Sequence, residues 1–221
     1  LGVMSWSMVT LNTSPSLSSI RWMGATQQRA CFHSALKCSS AGVPGIVEGD
    51  EGGAAFSRWL STAGFESRLS LADFGGLRGM MTTTPIAAGE TVLNFPRSAT
   101  MDLRTADECP CTQLVSPSFF QTAPWYLQLA LWLVAEERMG RASQWVGYIE
   151  ALPREVNTPL HWTSEQLEQL RYPSLIDSVQ RQKDEFQGLL EAARPHVTAE
   201  VLQRLEWAML IVLSRAVESP N

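Results

Sequence analysis

The sequence predicts an α+β fold, a small β portion followed by a mostly helical stretch. Two patterns predict it. Between residues 67 and 96, short β-prone runs alternate with glycine-rich turns. From Ala123 onward, apolar residues recur at helical spacing between clear start and stop signals.

Val43–Gly53 (VPGIVEGDEGG) reads as a linker into the folded part. Phe56, Trp59 and Leu60 then lie at helical spacing, and Gly64 is a natural stop for a helix over Phe56–Ala63. Short strands are expected at Ser67–Leu71, Gly79–Thr84 and Thr91–Phe95. Gly75, Gly76 and Gly79 crowd the turn after Phe74, where a missing Cβ permits unusual backbone or close approach to a ligand. Ala88-Gly89-Glu90 reads as the turn of a β-hairpin joining the last two strands, and Pro85 ends the first of them. A Pro/Ser/Cys-rich connection follows between Asp102 and Ala123.

Pro124 opens a helix over Trp125–Met139 that Gly140 closes; it is apolar on nearly all sides and so is expected to be central. Ser143 can cap a short helix carrying Trp145, Tyr148, Ile149 and Leu152. Thr163 and Gln166 form a capping-box pattern for the next helix. Ser174–Arg194 shows one amphipathic stripe, Pro195 breaks it, and Thr198 starts a last helix through Ala216. Trp125, Trp132, Trp145 and Trp207 sit at helical spacings in apolar surroundings and read as core, not as a ligand cage.

Composition narrows the function classes. With 45% hydrophobic and 18% charged residues, the chain has the make-up of a soluble globular protein. A net charge of −5 supplies no basic footprint for nucleic acid. The longest apolar run, Leu127–Ala135, is too short to span a bilayer. Cys109-Pro110-Cys111 has no second cysteine pair at zinc spacing and the three histidines are scattered, so no metal is expected and the cysteines read as reduced thiols. Residues 1–47 carry no Asp or Glu, three basic residues, and nine serines within the first forty positions. That composition reads as an organelle transit peptide or a disordered tail, with the plastid favoured over mitochondrial or cytoplasmic placement.

Five ordered segments carry a family resemblance: Phe56–Arg68, Leu77–Pro96, Ala123–Pro153, Thr158–Leu170 and Val212–Ala216. Together they resemble the SET-domain methyltransferases of the Rubisco large-subunit and actin-histidine methyltransferase group, whose SET domain is split by a long helical insertion. The resemblance implies a linker at 48–55, the first half of a SET β-core at 56–122 and the helical SET insertion at 123–216. Residues 217–221 then precede the second half of the core, and the chain is expected to be a fragment that does not turn over alone.

S-adenosylmethionine is the methyl donor so implied, and a lysine or histidine side chain of a protein is the acceptor. By position, the donor-contacting turn is Gly76, Leu77, Arg78, Gly79 and Met80. The sequence departs from the group twice: Gly76 stands where an acidic residue is common, and Leu77 replaces the first glycine of a G-x-G. Main-chain contacts tolerate both changes. Arg215 matches the arginine that reaches the donor's carboxylate, a task suited to a guanidinium fork; it also reads as a last-turn arginine favouring a helix C-terminus. The Asn-His pair and late tyrosine of the group have no counterpart, so no catalytic residue is assigned. The competing expectation is a non-catalytic module using the helical stretch as a protein-binding surface.

Overall fold

Helix follows helix after residue 116, and the side chains of Ser116, Thr163 and Thr198 cap three of the helix starts. In the computed structural model, which describes residues 10–14, 17–21, 45–46, 51–74, 78–82, 84–104 and 109–216, the chain divides into two compact units, Leu1–Thr100 and Met101–Val217.

Among the described residues, the first unit holds seven short strands and one α-helix. Strands β1 (Thr10–Ser14), β2 (Leu17–Arg21) and β3 (Gly45–Ile46) precede helix α1 (Glu51–Thr62), and β4 (Glu66–Ser67), β5 (Ser70–Asp73), β6 (Arg78–Met81) and β7 (Thr91–Pro96) follow it. They form two antiparallel sheets, ordered β1-β2-β7-β4 and β3-β5-β6. Gly64, at φ +79°, ends α1, a conformation glycine adopts without a Cβ penalty. Trp59 packs on Phe65 at 5.1 Å between ring centroids, and Phe65 stacks on Phe95 at 5.4 Å. These rings tie the end of α1 to β7.

One expectation for this unit is corrected. The hairpin expected between Gly79–Thr84 and Thr91–Phe95 does not form: β6 pairs with β5, and β7 pairs with β2 and β4. The cause is local. The Thr82 hydroxyl donates to Thr84 O and accepts from Thr84 N, so the chain turns at Thr82, and Pro85 has no N–H with which to continue a ladder. The antiparallel pair that forms here is β5 with β6, with Asp73 opposite Arg78. Within residues 1–47, β1 and β2 pair with each other and β2 aligns Ile20 with Leu93 of β7. Thr10, Thr13 and Ile20 suit extended backbone, a preference that net charge and serine content do not register.

The second unit is helical: α2 (Pro117–Thr122), α3 (Trp125–Met139), α4 (Val146–Ala151), α5 (Ser164–Glu168), α6 (Pro173–Ala193) and α7 (Ala199–Arg215). Its core centres on α3 and α7, which bury Leu127, Leu131 and Val134 on one side and Leu205, Met209 and Ile211 on the other. Thr163 and Gln166 make the expected capping box, and the Thr198 hydroxyl caps α7 by accepting from Val201 N. The connection before Ala123 is more structured than expected. Ser116 caps α2 with Pro117 in its first turn, and Cys109, Cys111, Val115 and Phe120 are buried.

Three of the four tryptophans expected in the core are there. Trp132, Trp145 and Trp207 are less than 9% exposed, whereas Trp125 is 52% exposed. Trp125 is the first residue of α3, ahead of the buried turn that begins at Leu127. Leu175, in the first turn of α6, is likewise exposed although it belongs to the apolar stripe.

Candidate functional site

The residues singled out for donor contact fall in two places. Gly76 and Leu77 lie outside the described residues. Arg78, Gly79 and Met80 are in β6, paired respectively with Asp73, Ala72 and Leu71 of β5. Arg215 is the last residue of α7, in the second unit.

Strand β6 shows why a glycine stands at 79. A Cβ there would meet Cε2 of Phe74 at 3.0 Å and Cδ2 at 3.2 Å. The Phe74 ring therefore occupies the space that a side chain would fill. Phe74 is itself 44% exposed and Met80 43%, so an apolar ring and a thioether border this strand at the surface. Such an edge suits the adenine or thioether portion of a ligand. Charge is set a little further on: Glu90 accepts from Ala87 N at 2.8 Å and from Arg68 Nη1 at 2.8 Å. The Ala87 amide first, and then the Arg68 guanidinium, hold the Glu90 carboxyl below its ordinary range.

Arg215 is exposed, and its Nη1 donates to Ser214 Oγ at 2.6 Å. Among the described residues no carboxylate pairs with it, which leaves a guanidinium fork able to take an external anion. Tyr148, half-buried on α4, feels the Arg215 charge. Burial raises the phenol above its ordinary range, and Arg215 pulls it partway back. That coupling between α4 and the end of α7 was not legible from spacing, because the two positions are 67 residues apart in sequence.

The other tyrosines have structural surroundings. The Tyr126 hydroxyl donates to Glu185 Oε1 at 2.8 Å, and burial with that carboxylate pushes it up to about 12. Tyr172 is 61% exposed.

A separate groove of about 480 Å³ opens on the second unit, lined by Arg154, Asn157, His161, Gln203, Glu206 and Trp207 among others. Several of its polar groups already have partners: His161 Nε2 lies 3.5 Å from Glu206, Arg154 pairs with Glu137, and Trp207 Nε1 donates to Pro153 O. It contains none of the residues named for donor contact. Among the described residues no group of three or more His, Cys, Asp or Glu side chains is placed to hold a metal ion, and no helix is long and apolar enough to cross a membrane.

Comparison with known proteins bears on the family. No family model matches the chain, and no solved structure matches it. Curated proteins do. Over 119 residues the chain is 35% identical to the actin-histidine N-methyltransferase of Drosophila melanogaster, a match covering 53% of this chain and 21% of that protein. Over 147 residues it is 25% identical to the chloroplastic ribulose-1,5 bisphosphate carboxylase/oxygenase large subunit N-methyltransferase of Nicotiana tabacum, covering 62% and 29%. The actin-histidine N-methyltransferase of Danio rerio is 34% identical over 101 residues, covering 46% and 17%. The matches thus take in less than a third of each relative's length. The resemblance read from the sequence holds: over 46–62% of its length the chain is similar to N-methyltransferases of the actin-histidine and Rubisco large-subunit kind.

Proposed function

We propose that this chain is part of an S-adenosylmethionine-dependent protein N-methyltransferase acting on a lysine or histidine side chain. In this reading the strands of residues 56–122 are the first half of a SET core, and residues 123–216 are its helical insertion. The observation that carries it is the similarity to methyltransferases of both acceptor types, joined to the order of motifs along the chain.

Within each unit taken by itself, residues suit one part of such a donor. Gly79 and its neighbours offer main-chain groups on a strand edge bordered by Phe74 and Met80. Arg215 offers a fork with no carboxylate partner among the described residues, suited to two parallel hydrogen bonds with a carboxylate. When bound, S-adenosylmethionine supplies a methyl group on a sulfonium centre. The chain's part is to hold it for in-line attack, where alignment provides much of the acceleration. A plastid location agrees with the serine-rich, acid-free first 47 residues and with the chloroplastic relative.

Photo-cross-linking of methyl-labelled S-adenosylmethionine to the full chain, followed by peptide mapping, tests the reading. Label is expected in the peptides flanking Arg78 and is displaced by S-adenosylhomocysteine. Label found nowhere on a folded chain would overturn the donor site and favour the helical interaction module.

A further inference from the structure

We propose that Cys109 and Cys111 form a vicinal dithiol site that closes reversibly to a disulfide and captures thiophilic trivalent arsenicals. Their Sγ atoms lie 3.8 Å apart, with Cys111 fully buried and Cys109 8% exposed. A disulfide needs about 2.05 Å between sulfurs, so closure requires a movement of less than about 2 Å. Pro110 between them fixes one backbone torsion, which limits how far the pair can separate by rotation. The far side is held as well: Leu114 N and Val115 N both donate to Cys111 O, at 2.8 and 3.2 Å. Two thiols are thereby placed face to face in a site that neither the donor turn nor Arg215 uses.

Burial and then the neighbouring Cys109 hold the Cys111 thiol far above its usual range, so Cys111 rests protonated and is a slow nucleophile. Closure proceeds by exchange. One cysteine thiolate attacks a sulfur of oxidised glutathione and releases one glutathione thiol. The second cysteine attacks the protein sulfur of the mixed disulfide and releases the other. The chain loses two hydrogens, and one glutathione disulfide becomes two glutathiones. A loop of one intervening residue is strained, which places its potential on the oxidising, easily reduced side. That is the behaviour of a switch rather than of a permanent staple. The redox-neutral counterpart is reaction with phenylarsine oxide, in which two sulfur–arsenic bonds form and one water leaves.

The full chain is incubated natively with oxidised glutathione, alkylated, digested with trypsin and weighed. Cys109 and Cys111 fall together in the peptide 105–138, whereas Cys31 and Cys38 fall in the separate peptides 30–37 and 38–58. The expected result is a 105–138 peptide lighter by two hydrogens, unalkylated, and restored by dithiothreitol. Pre-treatment with one equivalent of phenylarsine oxide abolishes that change in a Cys31→Ser/Cys38→Ser variant. Stable glutathione adducts on Cys109 or Cys111, linkage of either to Cys31 or Cys38, or two persistently alkylatable thiols would each overturn the proposal.

Discussion

Arg204 and Glu137 form a two-point ion pair between α7 and α3. Arg204 Nε donates to Glu137 Oε2 and Nη2 to Oε1, both at 2.6 Å. The same guanidinium lies 3.5 Å over the Trp207 ring, and Arg154 Nη1 reaches Glu137 Oε1 at 3.3 Å. One carboxylate thus gathers two arginines at the side of the main helix–helix contact. Arg204→Lys keeps the charge but loses the fork and the stacked plane. With both partners part-exposed, the expected loss is about 1–2 kcal/mol. For a chain of this size that lowers Tm by roughly 2–8 °C, readable by calorimetry. An unchanged Tm would show the pair to be surface decoration.

Tyr126 gives the fold an alkaline limit. Its phenol is raised from an ordinary 10.0 to about 12 in the fold. The folded chain therefore holds this proton more tightly than the unfolded chain does. The associated stability is fully present below about pH 10 and is lost as pH rises through 12. Ultraviolet titration of phenolate should show a late-ionising component beside that of Tyr148, and Tyr126→Phe should remove it. The substitution also deletes the bond to Glu185 between α3 and α6, at about 0.5–1.5 kcal/mol.

Thr198 is the cap on which the start of α7 depends, because its hydroxyl accepts from Val201 N and Val201 is buried. Thr198→Ala should cost about 1 kcal/mol in denaturant unfolding, and Thr198→Ser should restore nearly all of it.

Gly79 separates packing from ligand approach. Among the described residues an added Cβ meets the Phe74 ring, which is partly exposed and can swing outward. Gly79→Ala should therefore change stability by less than about 1 kcal/mol, while donor cross-linking to the β6 peptide falls. Equal labelling of both forms would remove Gly79 from the donor site.

The sequence signals that proved legible were local. The Thr163–Gln166 capping box, the Thr198 cap and the Pro124 and Gly140 bounds of α3 depend on hydrogen bonds within a few residues, so they can be read directly. Strand pairing was not legible, since β7 pairs with β2 across some seventy intervening residues. The side-chain turn at Thr82, which diverts β6 from β7, leaves only a Thr-rich run that reads equally well as strand. Trp125 misled for a related reason: periodicity gives the face of a helix, but the burial of its first turn depends on what lies beyond the helix end. Of the candidate site, the glycine turn stood out from its residues alone, Arg215 only through family resemblance, and the pull of Arg215 on Tyr148 only in three dimensions.

Calorimetric titration of the full chain with S-adenosylmethionine, alongside Arg215→Ala, tests the central claim most directly. The account predicts saturable heat with the parent chain and an affinity at least tenfold weaker in the variant, equivalent to about 1.4 kcal/mol for a lost two-point carboxylate contact. No heat at millimolar donor with a folded chain, or equal affinity in both forms, would contradict it.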